Sequence, residues 1–173
     1  MAKTIRIKRM NTSAVTVTGL GTPVFQILHF TAISFTFVSA TFSFGTLVYL
    51  IRTSNGKAFW SWPISSRLVL YLSVNDAIQY VFHGSDHVVY VILQNFPPEA
   101  LCILYGFILH EFGIAQNLLV LMTAVGTFVT VVRETVFHFG KYDWLVFICA
   151  YAMPAVVGVV FLCLDWFGPT GAW

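Results

Sequence analysis

From residue 24 to residue 164 the chain reads as four apolar runs separated by short polar breaks. Val24 to Ile51 carries no charge and follows Pro23, a residue tolerated in the first turn of a helix. Arg67 to Ile92 is entered from a loop holding Arg52, Lys57, Trp60 and Trp62, and is closed by Asn95 and Pro97-Pro98. Leu101 to Val132 has one charged residue, Glu111, and Trp144 to Leu164 has none, with Pro154 and Gly158 predicting a kink. Each run is long enough for a helix to cross a ~30 Å hydrocarbon layer, and the third, about 48 Å long as a helix, has to tilt or project beyond it. The pattern predicts an all-α integral membrane protein of four transmembrane helices, over 24–51, 67–92, 101–132 and 144–164. A short basic tail, 1–23, precedes this bundle, and 165–173 reads as a truncated outer loop.

The second run is the exception that orders the others. Asp76, Tyr80, His83 and His87 stand at i, i+4, i+7 and i+11, one stripe along a helix. Ionisable groups at membrane depth turn away from lipid, so the other helices are expected to pack around this stripe. Two readings stay open: the stripe lines a polar pocket, or it only holds helices together.

Composition agrees with the pattern. The chain is 58% hydrophobic and 9% charged, against about 25% charged in an ordinary soluble domain. A net charge of +2 without an aromatic-interleaved basic patch excludes nucleic acid as a partner and leaves the lipid bilayer as the first one. Lys3, Arg6, Lys8 and Arg9 make the tail basic, but the apolar run after it is too long for a signal peptide. Asn11-Thr12-Ser13 is a glycosylation sequon. Arg52, Lys57, Arg67, Arg133 and Lys141 all fall in the first and third loops, which the positive-inside rule places in the cytoplasm, with both termini outside.

Because successive helices alternate direction, His29, His83, His87, His110 and Glu111 fall in one half of the membrane. With Asp86 beside His87, the residues His83, Asp86, His87, His110 and Glu111 are candidates for one buried ligand pocket. Gly106, His110, Gly113, Asn117 and Ala124 share the small or polar face of the third helix expected to close around it. His83 and His87 at i, i+4 also allow a metal- or haem-binding oxidoreductase. There is, however, no HExxH, no set of histidine boxes and no GxSxG elbow, so neither an enzyme nor a cofactor is expected. Cys149 and Cys163 lie about 21 Å apart along one helix and cannot bond each other. Cys102, at the outer mouth of the third helix, has no partner in the chain.

The string RLVLYLSVND, Arg67 to Asp76, resembles the start of helix two in seven-helix G-protein-coupled receptors of the cyclic-AMP-receptor-like and secretin-like group. Cys102 is similar to the cysteine these receptors carry at the start of helix three, normally bonded to one in the loop after helix four. The closing GPTGAW is similar to the stretch just before that partner. The long third run ending Val131-Val132-Arg133-Glu134, and Pro154, are similar to the family too, whereas Arg133-Glu134-Thr135 is not the rhodopsin-type triplet. The resemblance covers residues 24–173 and implies a plasma-membrane receptor, represented through helix four. It implies an unknown extracellular ligand, a heterotrimeric G protein as partner, Asp76 as a switch element, and a cytoplasmic face carrying Arg52, Lys57, Arg67 and Arg133. A four-span scaffold or accessory protein is the alternative from a different class.

Overall fold

The structure, a computed structural model, describes residues 20–135 and 138–167. The basic tail up to residue 19, with its sequon, and the GPTGAW stretch lie outside the described residues. The described chain is built from helices and turns. Its long helices are α1, Pro23–Thr53, α2, Ile64–Leu93, α3, Glu99–Arg133, and α4, Lys141–Cys163.

The helix ends follow from local chemistry. Pro23 opens α1 at a position where its missing N–H costs no hydrogen bond, and Pro63 and Pro98 stand just before α2 and α3. Gln94 and Glu134 end α2 and α3 in the left-handed conformation, which stops the helical ladder. Pro154 leaves α4 one backbone donor short. Directly before it, Ile148–Ala152 form a π-helical turn that absorbs the irregularity between the α-helical pieces Trp144–Phe147 and Met153–Cys163.

Consecutive helices run antiparallel, as the contacts at their ends show. His29 at the start of α1 meets His87 near the end of α2, and Arg67 at the start of α2 meets Asp143 at the start of α4. α1 packs on α2, α2 on α3, and α3 on both halves of α4, so α2 is enclosed between its neighbours. One core cluster joins Leu68 and Tyr71 of α2, Leu119 of α3, Phe139 of the third loop, and Val146 and Ala150 of α4. A smaller one, Phe25, Tyr90 and Phe96, closes the opposite end of α1 and α2.

The bundle is apolar on the outside. On α1, Phe35, Phe37 and Phe42 are more than two-thirds exposed, while His29, Thr36 and Ser43, seven residues apart, are buried against α2. Such an outward apolar surface is what a bilayer accepts and water does not. Ser34, Thr41, Thr46 and Thr53 on the exposed side return their hydroxyls to the carbonyl four residues back, so these donors are satisfied within the helix. α1, α3 and α4 are each long and apolar enough to cross a membrane. α2, at 30 residues, is also long enough, but it carries the polar residues of the bundle and is not apolar to the same degree.

α1 and α2 come close together because Gly84 has no side chain. A Cβ placed there would lie 2.9 Å from Thr36 Oγ1, which is already fixed by donating to Ala32 and Ile33. Gly84→Val is expected to destabilise the bundle by about 1–3 kcal/mol through overpacking. Gly45→Val, where nothing lies within 4 Å, is expected to leave the thermal midpoint in detergent almost unchanged.

Candidate functional site

The polar groups fall into three sets along α2. At the end where α2 and α4 begin, Asp143 is 1% exposed. Arg67 Nε donates to its Oδ2 at 2.7 Å and Arg67 Nη2 to its Oδ1 at 3.0 Å, a two-pronged ion pair. Tyr71 Oη adds a donated bond of 3.0 Å to Oδ2, and Arg67 Nη1 donates to the Trp62 carbonyl at 2.7 Å. The carboxylate is presented by an unusual backbone. Tyr142 and Asp143 both have positive φ, 61° and 55°, and Gly140 has φ 82°. A side chain at Gly140 would run into the Trp144 indole. Left-handed residues of this kind persist where surrounding bonds hold them, and here Arg67 and Tyr71 do so.

At the opposite end, His29 is fully buried and its Nδ1 lies 2.8 Å from Nδ1 of His87. His83 stands edge-on to His87 with ring centroids 4.7 Å apart, and Tyr90 stacks on His29 at 5.7 Å. Half-way along the bundle Asn75 Nδ2 donates to the Phe112 carbonyl of α3 at 2.9 Å, and Gln79 sits against Gly113 one residue further on. Beside this contact Asn75 Oδ1, Asp76 Oδ1, Gln79 Oε1 and Glu111 Oε2 are buried acceptors that meet no donor among the described residues. Tyr151 of α4 lies within electrostatic range of both Asp76 and Glu111.

The five candidate pocket residues therefore take part in different contacts. His83 and His87 belong to the α1–α2 contact. Asp86, 5% exposed, is one residue on and about 100° around the helix from His87. It shares its surroundings with Tyr90 and with Cys102 of α3. His110 meets Phe161 and Phe167 edge-on at the far end of α4, and Gly158 lets that helix approach it. Glu111 belongs to the central seam with Asp76. The small-residue face expected on α3 is not the one that packs most closely. Asn117 and Ala124 are exposed, and α3 buries Glu111, Ala115, Leu119 and Gly126 on the opposite side. The reason is that α2 and the core cluster approach α3 from that side, bringing Leu119 into the cluster.

Arg52, Lys57 and Arg133 are exposed at the Arg67 end, whereas Arg67 itself is turned inward to Asp143 with its side chain only 15% exposed. Cys102 is half-buried, with Sγ 3.5 Å from the Pro97 carbonyl, and it is free, as are Cys149 and Cys163. Among the described residues no three His, Cys, Asp or Glu side chains converge on a point where a metal ion could be held.

Asp143, Tyr71, Asn75 and Gln79 escaped the sequence reading. Asp143 carried a usable signal, because helices two and four start on the same side and Asp143 is the acidic residue there that can meet Arg67. Compared with protein-family models, with curated proteins and with solved structures, the chain matches none.

Asp143→Ala leaves the Arg67 guanidinium largely buried without its anion and is expected to destabilise by about 3–5 kcal/mol. Tyr71→Phe removes one bond to a charged acceptor, worth about 1.5–3 kcal/mol. Thermal denaturation of the single and double Arg67→Met/Asp143→Leu variants checks this: the double variant is expected to be more stable than either single one.

Proposed function

We propose that the chain forms the first four helices of a plasma-membrane receptor that binds an extracellular signal and passes it to a heterotrimeric G protein. One observation carries the reading. The lysines and arginines among the described residues, Arg52, Lys57, Arg67, Arg133 and Lys141, gather at one end of the bundle, and the histidine-rich contact lies at the other. α2 runs between the two ends as the fourth crossing. Its Val74, Val81, Val88 and Ile92 look outward and its polar residues look toward α1 and α3. The basic end is the cytoplasmic one by the positive-inside rule, which leaves the N-terminus outside.

Within this reading His83 and His87 tie α2 to α1, and recognition of the signal falls to Asp86, His110 and Glu111 on the side of α3 and α4. Cys102, free at the outer end of α3, is in place for a disulfide with a cysteine beyond this chain. Asp76 is the switch element. It sits in a seam of buried acceptors lacking donors, an arrangement that a second helix packing can satisfy better, so that an agonist stabilising that packing shifts the population. A four-span scaffold is the second reading, favoured by the Asn75 bond to Phe112, which joins α2 to α3 without any ligand.

The test uses cells expressing the protein from its native transcript. Energy-transfer reporters of G-protein dissociation are expected to rise above mock-transfected cells and to fall back in Arg133→Ala. Cysteines placed at Ser54 and Asn95 are expected to label from the cytosol and from outside, respectively. A correctly inserted protein that moves no G-protein reporter supports the scaffold instead.

A further inference from the structure

Two imidazoles with their Nδ1 atoms 2.8 Å apart hold one proton between them, because one ring has to donate and the other to accept. The environment says which. His29 is fully buried and its Nε2 meets no partner among the described residues, so a proton placed there would be an unsatisfied donor, whereas a bare lone pair is the cheaper state. His29 is neutral with its proton on Nδ1, and His87 accepts through an unprotonated Nδ1. Any further proton is then placed badly. On His87 Nδ1 it would point at the His29 N–H, and on His29 Nε2 it would be buried without an acceptor.

Among the described residues, several groups face the pair. Phe25 of α1 packs on His29 with centroids 4.3 Å apart, and α1 brings no other titratable group to this contact. α2 contributes His83, edge-on to His87, and Tyr90, stacked on His29. Asp86 of α2 and Cys102 of α3 are grouped around Tyr90. The geometry points to an acid-sensitive clasp: the His29–His87 contact locks the start of α1 onto the end of α2 when both rings are neutral and releases it when the accepting Nδ1 of His87 takes up a proton. Protons are the ligand, and the inference does not depend on the receptor reading.

The direction follows from linkage. Two separated imidazoles in the unfolded chain take up two protons below pH ~6.5, while the closed pair takes up none, so stability falls as pH falls through that range. The folding equilibrium constant is expected to drop about 10-fold per pH unit for one proton, and up to about 100-fold for two.

The experiment is thermal denaturation of the purified chain in detergent between pH 7.5 and 5.0, alongside His87→Asn, whose amide oxygen accepts the same bond and does not titrate. The wild type is expected to lose midpoint temperature on acidification more steeply than the variant. Equal slopes would overturn the clasp. Should the variant not fold, nitrogen-15 histidine spectra of the wild type decide. One protonated and one bare Nδ1 with a coupling across the bond at pH 7.5, lost at pH 5.0, is the expected result, and two protonated Nδ1 atoms at pH 7.5 would overturn it.

Discussion

Lipid offers no hydrogen-bond partner, so if α2, which carries Asp76, His83, Asp86 and His87, is to cross it, other helices have to wrap it. That requirement fixes the order of the bundle. α1 covers one flank of α2 and α3 the other, and the Val74, Val81 and Val88 stripe faces outward. The least apolar of the four long helices is thus the one with the most helix around it. α1, which past Phe25 buries His29, Thr36 and Ser43 and exposes large apolar residues such as Phe35, Phe37 and Phe42, is the wrapper turned inside out.

Wrapping leaves the two ends of α2 to be fixed, and the solutions differ in kind. At one end a two-pronged ion pair between Arg67 and Asp143 is supported by Tyr71 and the Trp62 carbonyl, so the buried carboxylate has several donors. At the other end two uncharged rings share a single proton. The first is a charged pair held by several bonds. The second responds to pH, and between them lies a seam of acceptors that meet no donor among the described residues. A helix held firmly at one end, conditionally at the other and loosely in the middle is suited to relaying a change along its length.

Much of the helical layout was legible from the chain, because unbroken apolar runs such as Val24 to Ile51 leave little else for a backbone to do in lipid. The inward turn of Asp76 and His87 was legible for the same reason. What escaped was partnership between helices. Periodicity says that Gly106, His110 and Ala124 share a face of α3, but not how much of that face a neighbour covers: Gly158 of α4 meets His110, while Ala124 is exposed and the core cluster forms around Leu119 on the other side. His83 and Asp86 are close in sequence yet serve different contacts, since about 100° of rotation per residue separates near neighbours on a helix. The pairing of Asp143 with Arg67 was open to a reading of the helix starts, but its presentation by two consecutive left-handed residues was not, because no side-chain pattern announces that conformation.

The π-helical turn in α4 bears on geometry as well as on proline. Val146, Ala150, Pro154 and Gly158, the buried residues of this helix after Asp143, are spaced by four throughout. On a straight α-helix such a row would wind about 120° around the axis over its length and leave the surface of α3. The wider turn at Ile148–Ala152 holds more residues per revolution and unwinds part of that drift. It acts as a vernier, letting a sequence written in steps of four stay aligned with a straight neighbour, so that the α3–α4 seam runs from the core cluster at Val146 to the His110 contact at Gly158 without a break.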